Sequence, residues 1–135
     1  MENVEFVKVE VVGGDWLESQ FKKYIQQNNM LKSQIKIIYS RLSEAPKLYE
    51  TDGAKIRDVA VKLFHSLFTL YVVEYDQKNK LAFGYMKNEE DEYLSEWGYS
   101  SIEELLELGF EMDLYFEDRT IAFDGTISKK ESHAV

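Results

Sequence analysis

The sequence predicts an α+β fold in which an antiparallel sheet is joined by one long N-terminal helix and one short helix. Apolar side chains recur at alternating steps of three and four from Leu17 to Leu42, the period of one helix face. Between residues 59 and 86, three runs rich in β-branched and aromatic residues are separated by polar turns, the pattern of a strand meander. Farther on, Ser101 with Glu104 forms a capping box in front of Ile102 to Leu108, which marks the second helix. With 135 residues, 44% of them hydrophobic, and a single proline, the chain is expected to fold as one compact unit. Within that unit, 1–44 supply a strand and the long amphipathic helix, 45–124 the sheet with an acidic loop and helix, and 125–135 a tail expected to fray.

Val4, Phe6, Val7, Val9, Val11 and Val12 make a nearly alternating strand run that ends at Gly13-Gly14. Asp15 then caps the long helix, with Glu18 three residues on. Read as heptads, the stripe places Phe21, Asn28, Ile35 and Leu42 at a, and Leu17, Tyr24, Leu31 and Ile38 at d. A lone Asn at a fixes register in coiled coils, so Phe21, Tyr24, Asn28, Leu31, Ile35 and Ile38 form a candidate homodimer seam. Ile25, Met30 and Ile37 widen the stripe, however, as expected of a helix lying on its own sheet. A third reading breaks the helix at Asn28-Asn29 and makes Gln34 to Tyr39 a strand, because Ile35, Ile37 and Tyr39 also alternate. Pro46 ends whatever precedes it.

After a polar turn at Thr51, Asp52 and Gly53, the meander is expected as Val59 to Phe64, Phe68 to Tyr75 and Leu81 to Met86, with Asp76 to Lys80 as a hairpin loop. Glu89 to Glu96 reads as an acidic loop, and Gly109 as the residue that closes the short helix. Phe110 to Phe116 and Thr120 to Phe123 are expected as the last strands.

Charge is concentrated rather than spread. The net charge is -9, yet residues 89–124 hold thirteen acidic groups against the single Arg119, a local charge of -12. Such a balance argues against direct nucleic-acid binding and against an anionic membrane surface. With no apolar run long enough to span a bilayer and no signal-peptide core near Met1, the chain is expected to be soluble and cytoplasmic. The plain account of the acidic block is a solvated face. The sharper account is an electrostatic docking surface made of Glu89, Glu90, Asp91, Glu92, Tyr93, Glu96, Trp97, Glu103, Glu104 and Glu107, in which carboxylates pair with arginine while rings stack on it.

Chemistry beyond carboxylates is scarce. Cysteine is absent and the only histidines are His65 and His133, so no thiolate site, zinc site or serine-type triad is expected, and no cofactor. Glycines do not form a phosphate-cradling loop, and Glu89-Glu90-Asp91-Glu92 lacks the spacing of a calcium loop. Glu74 and Asp76 lie two apart on a strand and share a face, which could serve acid-base or metal-assisted hydrolysis; the simpler account is the solvent side of a hairpin.

One resemblance emerges from the order of short motifs: Pro46 to Thr51, Val61-Lys62-Leu63-Phe64, Tyr71 with Glu74 and Asp76, Phe83-Gly84-Tyr85, Glu96 with Gly98-Tyr99, Ser101 to Leu105, Gly109 and Asp113 to Phe116. Over residues 45–123 the chain resembles a family of small uncharacterised domains encoded by plasmids, conjugative elements and phages. Leu70-Tyr71 stands where that family commonly has a tryptophan-tyrosine pair, and Met112 where it has an arginine. The resemblance implies an α+β fold and a mobile-element setting, and it assigns no catalytic residue. Together these readings lead to the expectation of a non-catalytic anti-defence protein that docks a basic, nucleic-acid-binding host protein by charge mimicry, with a dimerising adaptor as the alternative.

Overall fold

Helical spacing in the sequence becomes helix α1 (Asn29–Glu44) in the computed structural model, which describes residues 29–130. Ile35, Ile38, Tyr39 and Leu42 form its buried face, while Ile37 faces outward. Arg41, in the last turn, complements the negative end of the helix and ion-pairs with Asp118 at 2.7 Å. Eight strands follow: β1 (Ile56–Asp58), β2 (Val61–His65), β3 (Phe68–Asp76), β4 (Leu81–Asn88), β5 (Glu96–Ser101), β6 (Glu111–Met112), β7 (Arg119–Ala122) and β8 (Ile127–Lys129), with helix α2 (Ile102–Glu107) between β5 and β6.

The strands make two antiparallel sheets, one of five in the order β5-β4-β3-β2-β6 and one of three in the order β1-β7-β8. The larger sheet is the middle layer. On one face Val61, Leu63, Leu70 and Val72 pack with the α1 side chains and with Ile102 and Leu106 of α2. On the other face Tyr71 and Val73 pack with Val59 and with Ile121 of the smaller sheet, flanked by Phe83, Trp97 and Phe116. Burial on both faces explains why β3 is apolar almost throughout rather than alternating.

A bulge re-aims the second half of β3. Val72 pairs with Gly84 and Glu74 with Phe83, which leaves Val73 as an extra residue. In strict alternation Glu74 would share the helix-covered face of Leu70 and Val72. The bulge instead puts it opposite Phe83, on the side of the smaller sheet, and Tyr75 returns to the helical side. Gly84 sits beside this irregularity, and a Cβ there would come within 2.1 Å of the Tyr71 carbonyl oxygen.

Helix α2 has the termini its sequence specifies. The Ser101 hydroxyl accepts from the Glu104 amide at 3.2 Å, and Gly109 takes φ 105° as the chain leaves the helix.

Several expectations are corrected. The described residues are mostly β, with two antiparallel sheets, one full helix and one short one, in place of an α+β fold with a single sheet and a long N-terminal helix. Of the smaller sheet, the sequence marks only β7, expected as Thr120 to Phe123; β1 and β8 are three residues long, too short to show a period. Gln34 to Tyr39 is helical, not a strand. Ile35 and Ile38, assigned to a dimer seam, are sealed in the chain's own core. Phe21, Tyr24, Asn28 and the side chain of Leu31, together with the strand expected from Val4 to Val12 and the Asp15 cap, lie outside the described residues. Only Glu111–Met112 of the expected strand from Phe110 to Phe116 is extended in a sheet, since the Asp113 carboxylate accepts from the Tyr115 amide at 2.9 Å and turns the chain. Ile127–Lys129, expected in a frayed tail, pairs with β7.

Two substitutions test this packing. Ile38→Ala should lower the unfolding free energy by about 2–5 kcal/mol in urea titration, with no change in sedimentation. Gly84→Ala should cost about 1–3 kcal/mol or more, because the obstacle is backbone and cannot swing aside.

Candidate functional site

The acidic loop between β4 and β5 is built on Asn88, the buried last residue of β4. Its side-chain oxygen accepts from the amides of Glu90 at 3.0 Å and Asp91 at 3.1 Å, and its own amide donates to the Ser95 hydroxyl at 2.8 Å. The Glu89 amide donates to the Leu67 carbonyl at 2.7 Å, which ties the loop to the β2–β3 turn. Asp91 caps a single 3-10 turn, Glu92–Leu94, by accepting from the Tyr93 amide at 3.0 Å. The loop backbone is therefore held from beneath, chiefly by the side chains of Asn88, Ser95 and Asp91, and its outer side chains are left over.

Those outer side chains divide sharply. Glu89 is engaged: the Thr69 hydroxyl donates to it at 2.9 Å, and Lys87 forms an ion pair with it at 3.6 Å. Among the described residues, the carboxylates of Glu90, Glu92 and Glu96 accept no hydrogen bond and pair with no cation. Tyr93, at the tip, is 99% exposed, and Leu94 beside it is exposed as well. Between this loop and the β7–β8 turn opens a cleft of about 720 Å³ walled by Tyr85, Glu92, Tyr93 and Asp124. A hydrogen bond from Thr126 holds the Asp124 carboxyl below the usual carboxylate range, so that wall stays anionic.

The other predicted docking residues lie elsewhere. Trp97 belongs to β5 and not to the loop; its indole N–H donates to the Phe123 carbonyl at 2.8 Å. Glu103 pairs with Lys80 at 3.2 Å, and Glu104 and Glu107 ride on α2. Since α2 starts where β5 ends, these three stand about 15–20 Å along the strand from Glu96 at the usual strand rise. The structure brings Glu89 to Glu96 together and leaves Glu103, Glu104 and Glu107 apart.

Glu74 and Asp76 do not act as a pair. Asp76 is an exposed turn cap that accepts from Lys78 at 3.0 Å and from the Asn79 side chain at 2.8 Å, bonds that keep its carboxyl below the ordinary range. Glu74 is 1% exposed and points to the segment before β1. Its oxygens accept from the amides of Tyr49 at 2.8 Å and Thr51 at 2.9 Å, and the Thr51 hydroxyl donates to it too. Tyr49 is held at φ 74°, a strained angle for a bulky residue that costs about 1–3 kcal/mol and that the bond to Glu74 offsets.

From Thr51 the contacts close into a ring that the sequence did not reveal. Arg57 donates to the Thr51 hydroxyl at 2.9 Å and lies 5.0 Å over the Trp97 ring. Trp97 stacks with Phe83 at 5.6 Å, Phe83 meets Tyr99 at 5.0 Å, and Tyr99 meets Tyr49 at 6.3 Å. A hydrogen bond with Tyr49, aided by desolvation and by nearby Glu74 and Asp52, holds the Tyr99 phenol above its ordinary range. A carboxylate interrupting the apolar run Leu70 to Tyr75 is the available signal; the bulge that turns it toward the smaller sheet has no sequence signature.

Among the described residues, no group of three or more His, Asp or Glu side chains could hold a metal ion, and no helix is long and apolar enough to cross a membrane. No family model matches the chain, and no curated protein or solved structure matches it.

Glu74→Gln replaces one acceptor oxygen with a donor facing Thr51. It should lower stability by about 1–3 kcal/mol, and hydrogen exchange should show the amides of Tyr49 and Thr51 losing protection while α1 keeps its own.

Proposed function

We propose that the protein is a non-catalytic binding protein that docks a basic partner through the loop between β4 and β5. The observation that carries this reading is the division within the loop: its backbone is fixed from beneath by Asn88, while Glu90, Glu92 and Glu96 point outward unpaired around the exposed Tyr93 and Leu94. A preorganised surface loses little entropy on binding. Its charges favour encounter with a cationic surface, and Tyr93 supplies an aromatic face for a guanidinium. The cleft beside it, between Glu92 and Asp124, is suited to a single lysine or arginine side chain.

Partners with extended cationic surfaces are chiefly those that bind nucleic acid, where phosphate charge dominates affinity. The loop carboxylates would stand in for that phosphate. The resemblance to domains of plasmids and phages makes an anti-defence role, against a restriction or CRISPR effector in the cytoplasm, the setting in which such mimicry is useful.

Binding to a panel of such effectors at low and high salt tests the proposal, with displacement of DNA as the readout. Glu90→Lys with Glu92→Lys, which leaves the supporting Glu89 and Asp91 in place, should weaken binding at least about tenfold, and salt should weaken the wild type in the same direction. Binding that is indifferent to both the reversal and the salt overturns it.

A further inference from the structure

Three arginines lie among the described residues, and the most buried of them has no acidic partner. Arg41 pairs with Asp118 at 2.7 Å and Arg119 with Glu117 at 3.4 Å, both at the surface. Arg57 is 9% exposed. It stands opposite Ile121 in the β1–β7 register, and so enters the space between the two sheets. Its Nε donates to Thr51 and its face covers Trp97, but neither Nη1 nor Nη2 has a hydrogen bond or an ion pair among the described residues. Both terminal nitrogens keep some contact with solvent, since neither is among the sealed atoms without a partner.

Glu74 does not fill this vacancy. Its two oxygens are taken by Tyr49 and Thr51, and it reaches Arg57 only through the Thr51 hydroxyl. That arrangement puts a hydroxyl between the two charges and leaves the end-on donors of the guanidinium unsatisfied. With Nε tied and one face stacked, the remaining edge presents two parallel N–H groups, the geometry that matches both oxygens of a carboxylate. The rim is aromatic: Tyr49, Tyr99 and Phe123 are exposed around Trp97, with Phe123 stacked on it at 6.4 Å.

We propose that the Arg57 guanidinium binds a carboxylate carried on an apolar or aromatic group, with the Arg57 Nη pair holding the two oxygens and Tyr49, Tyr99 and Phe123 covering the apolar part. A singly charged group suits a site built on one guanidinium that no carboxylate touches directly. A phosphate dianion would face Glu74 and Asp52 without enough positive charge to oppose it. The same chemistry occurs in a free aromatic acid and in the C-terminal residue of a peptide, and it is independent of the acidic loop.

The test uses the full chain carrying Trp16→Phe, so that Trp97 is the only indole, and follows its fluorescence during titration. Benzoate represents a free acid, N-acetylphenylalanine a peptide terminus, N-acetylphenylalanine amide the uncharged control, and inorganic phosphate the dianion. A saturable response to either acid, with none to the amide or to phosphate, is expected; a response to both acids marks a general carboxylate site, and to the second alone a peptide-terminus site. Arg57→Lys should weaken binding at least about tenfold, because lysine lacks the fork, and Glu90→Lys with Glu92→Lys should leave it unchanged. The proposal is overturned if neither acid gives a saturable response, if the amide responds equally, or if a folded Arg57→Lys protein binds as tightly. The acid-against-amide comparison holds whatever the substitution does to folding.

Discussion

Burying a carboxylate in the central strand of a small domain costs several kcal/mol unless each oxygen finds donors. Glu74 finds three, all in the short segment between α1 and β1. That segment is fixed as a result, Tyr49 included, and the Thr51 hydroxyl is turned so that its lone pair meets Arg57. Arg57 in turn reaches across the gap to Trp97, which joins the smaller sheet to the edge of the larger one. Glu74 is thus the point where loop, first sheet and second sheet are joined by polar bonds, while the apolar contacts of Val59, Tyr71, Val73 and Ile121 hold the layers more generally.

Elements with long or strongly patterned sequences were legible. Helix α1 past Asn29, the β3–β4 hairpin, and α2 with its Ser101 and Gly109 termini follow from spacing, turn chemistry and capping. Three kinds of feature were not. Strands as short as β1 and β8 carry too few residues to alternate visibly. Strand β5 begins at Glu96 inside an acidic run, so its charge masked its pairing with β4. Glu74 reads as solvent-facing because a carboxylate is rarely buried; the bulge at Val73 moves it from the helix-covered face to the side of the smaller sheet, where it is among the most buried side chains. For the candidate site, the acidic loop was visible because it is local, whereas the Arg57 ring assembles residues from 49 to 123 and depends on tertiary contact alone.

The acidic block is contiguous in sequence and divided in space. Strand β5 runs through the middle of it, leaving Glu90, Glu92 and Glu96 at one end and Glu103 to Glu107 at the other, where Lys80 already neutralises part of the charge. Fields from the two groups are separated by more than a screening length at physiological salt, about 8 Å. A partner reading one end would be largely indifferent to the other. The figure of -12 is therefore spread over several smaller surfaces, Glu111, Asp113, Glu117, Asp118 and Asp124 lying outside both groups, and the one built on Asn88 combines fixed backbone with free carboxylates.

Strand β5 also has an outer side. It is the last strand of its sheet, and no other strand among the described residues pairs with its free edge. Open backbone on an edge strand invites pairing with another copy of the chain, and a charge on such a strand is a common deterrent. Glu96 is the only charged residue of β5. The same carboxylate that belongs to the proposed docking surface thereby opposes edge-to-edge pairing, so that a change of sign or loss of charge there would remove a deterrent to self-association as well as a binding group.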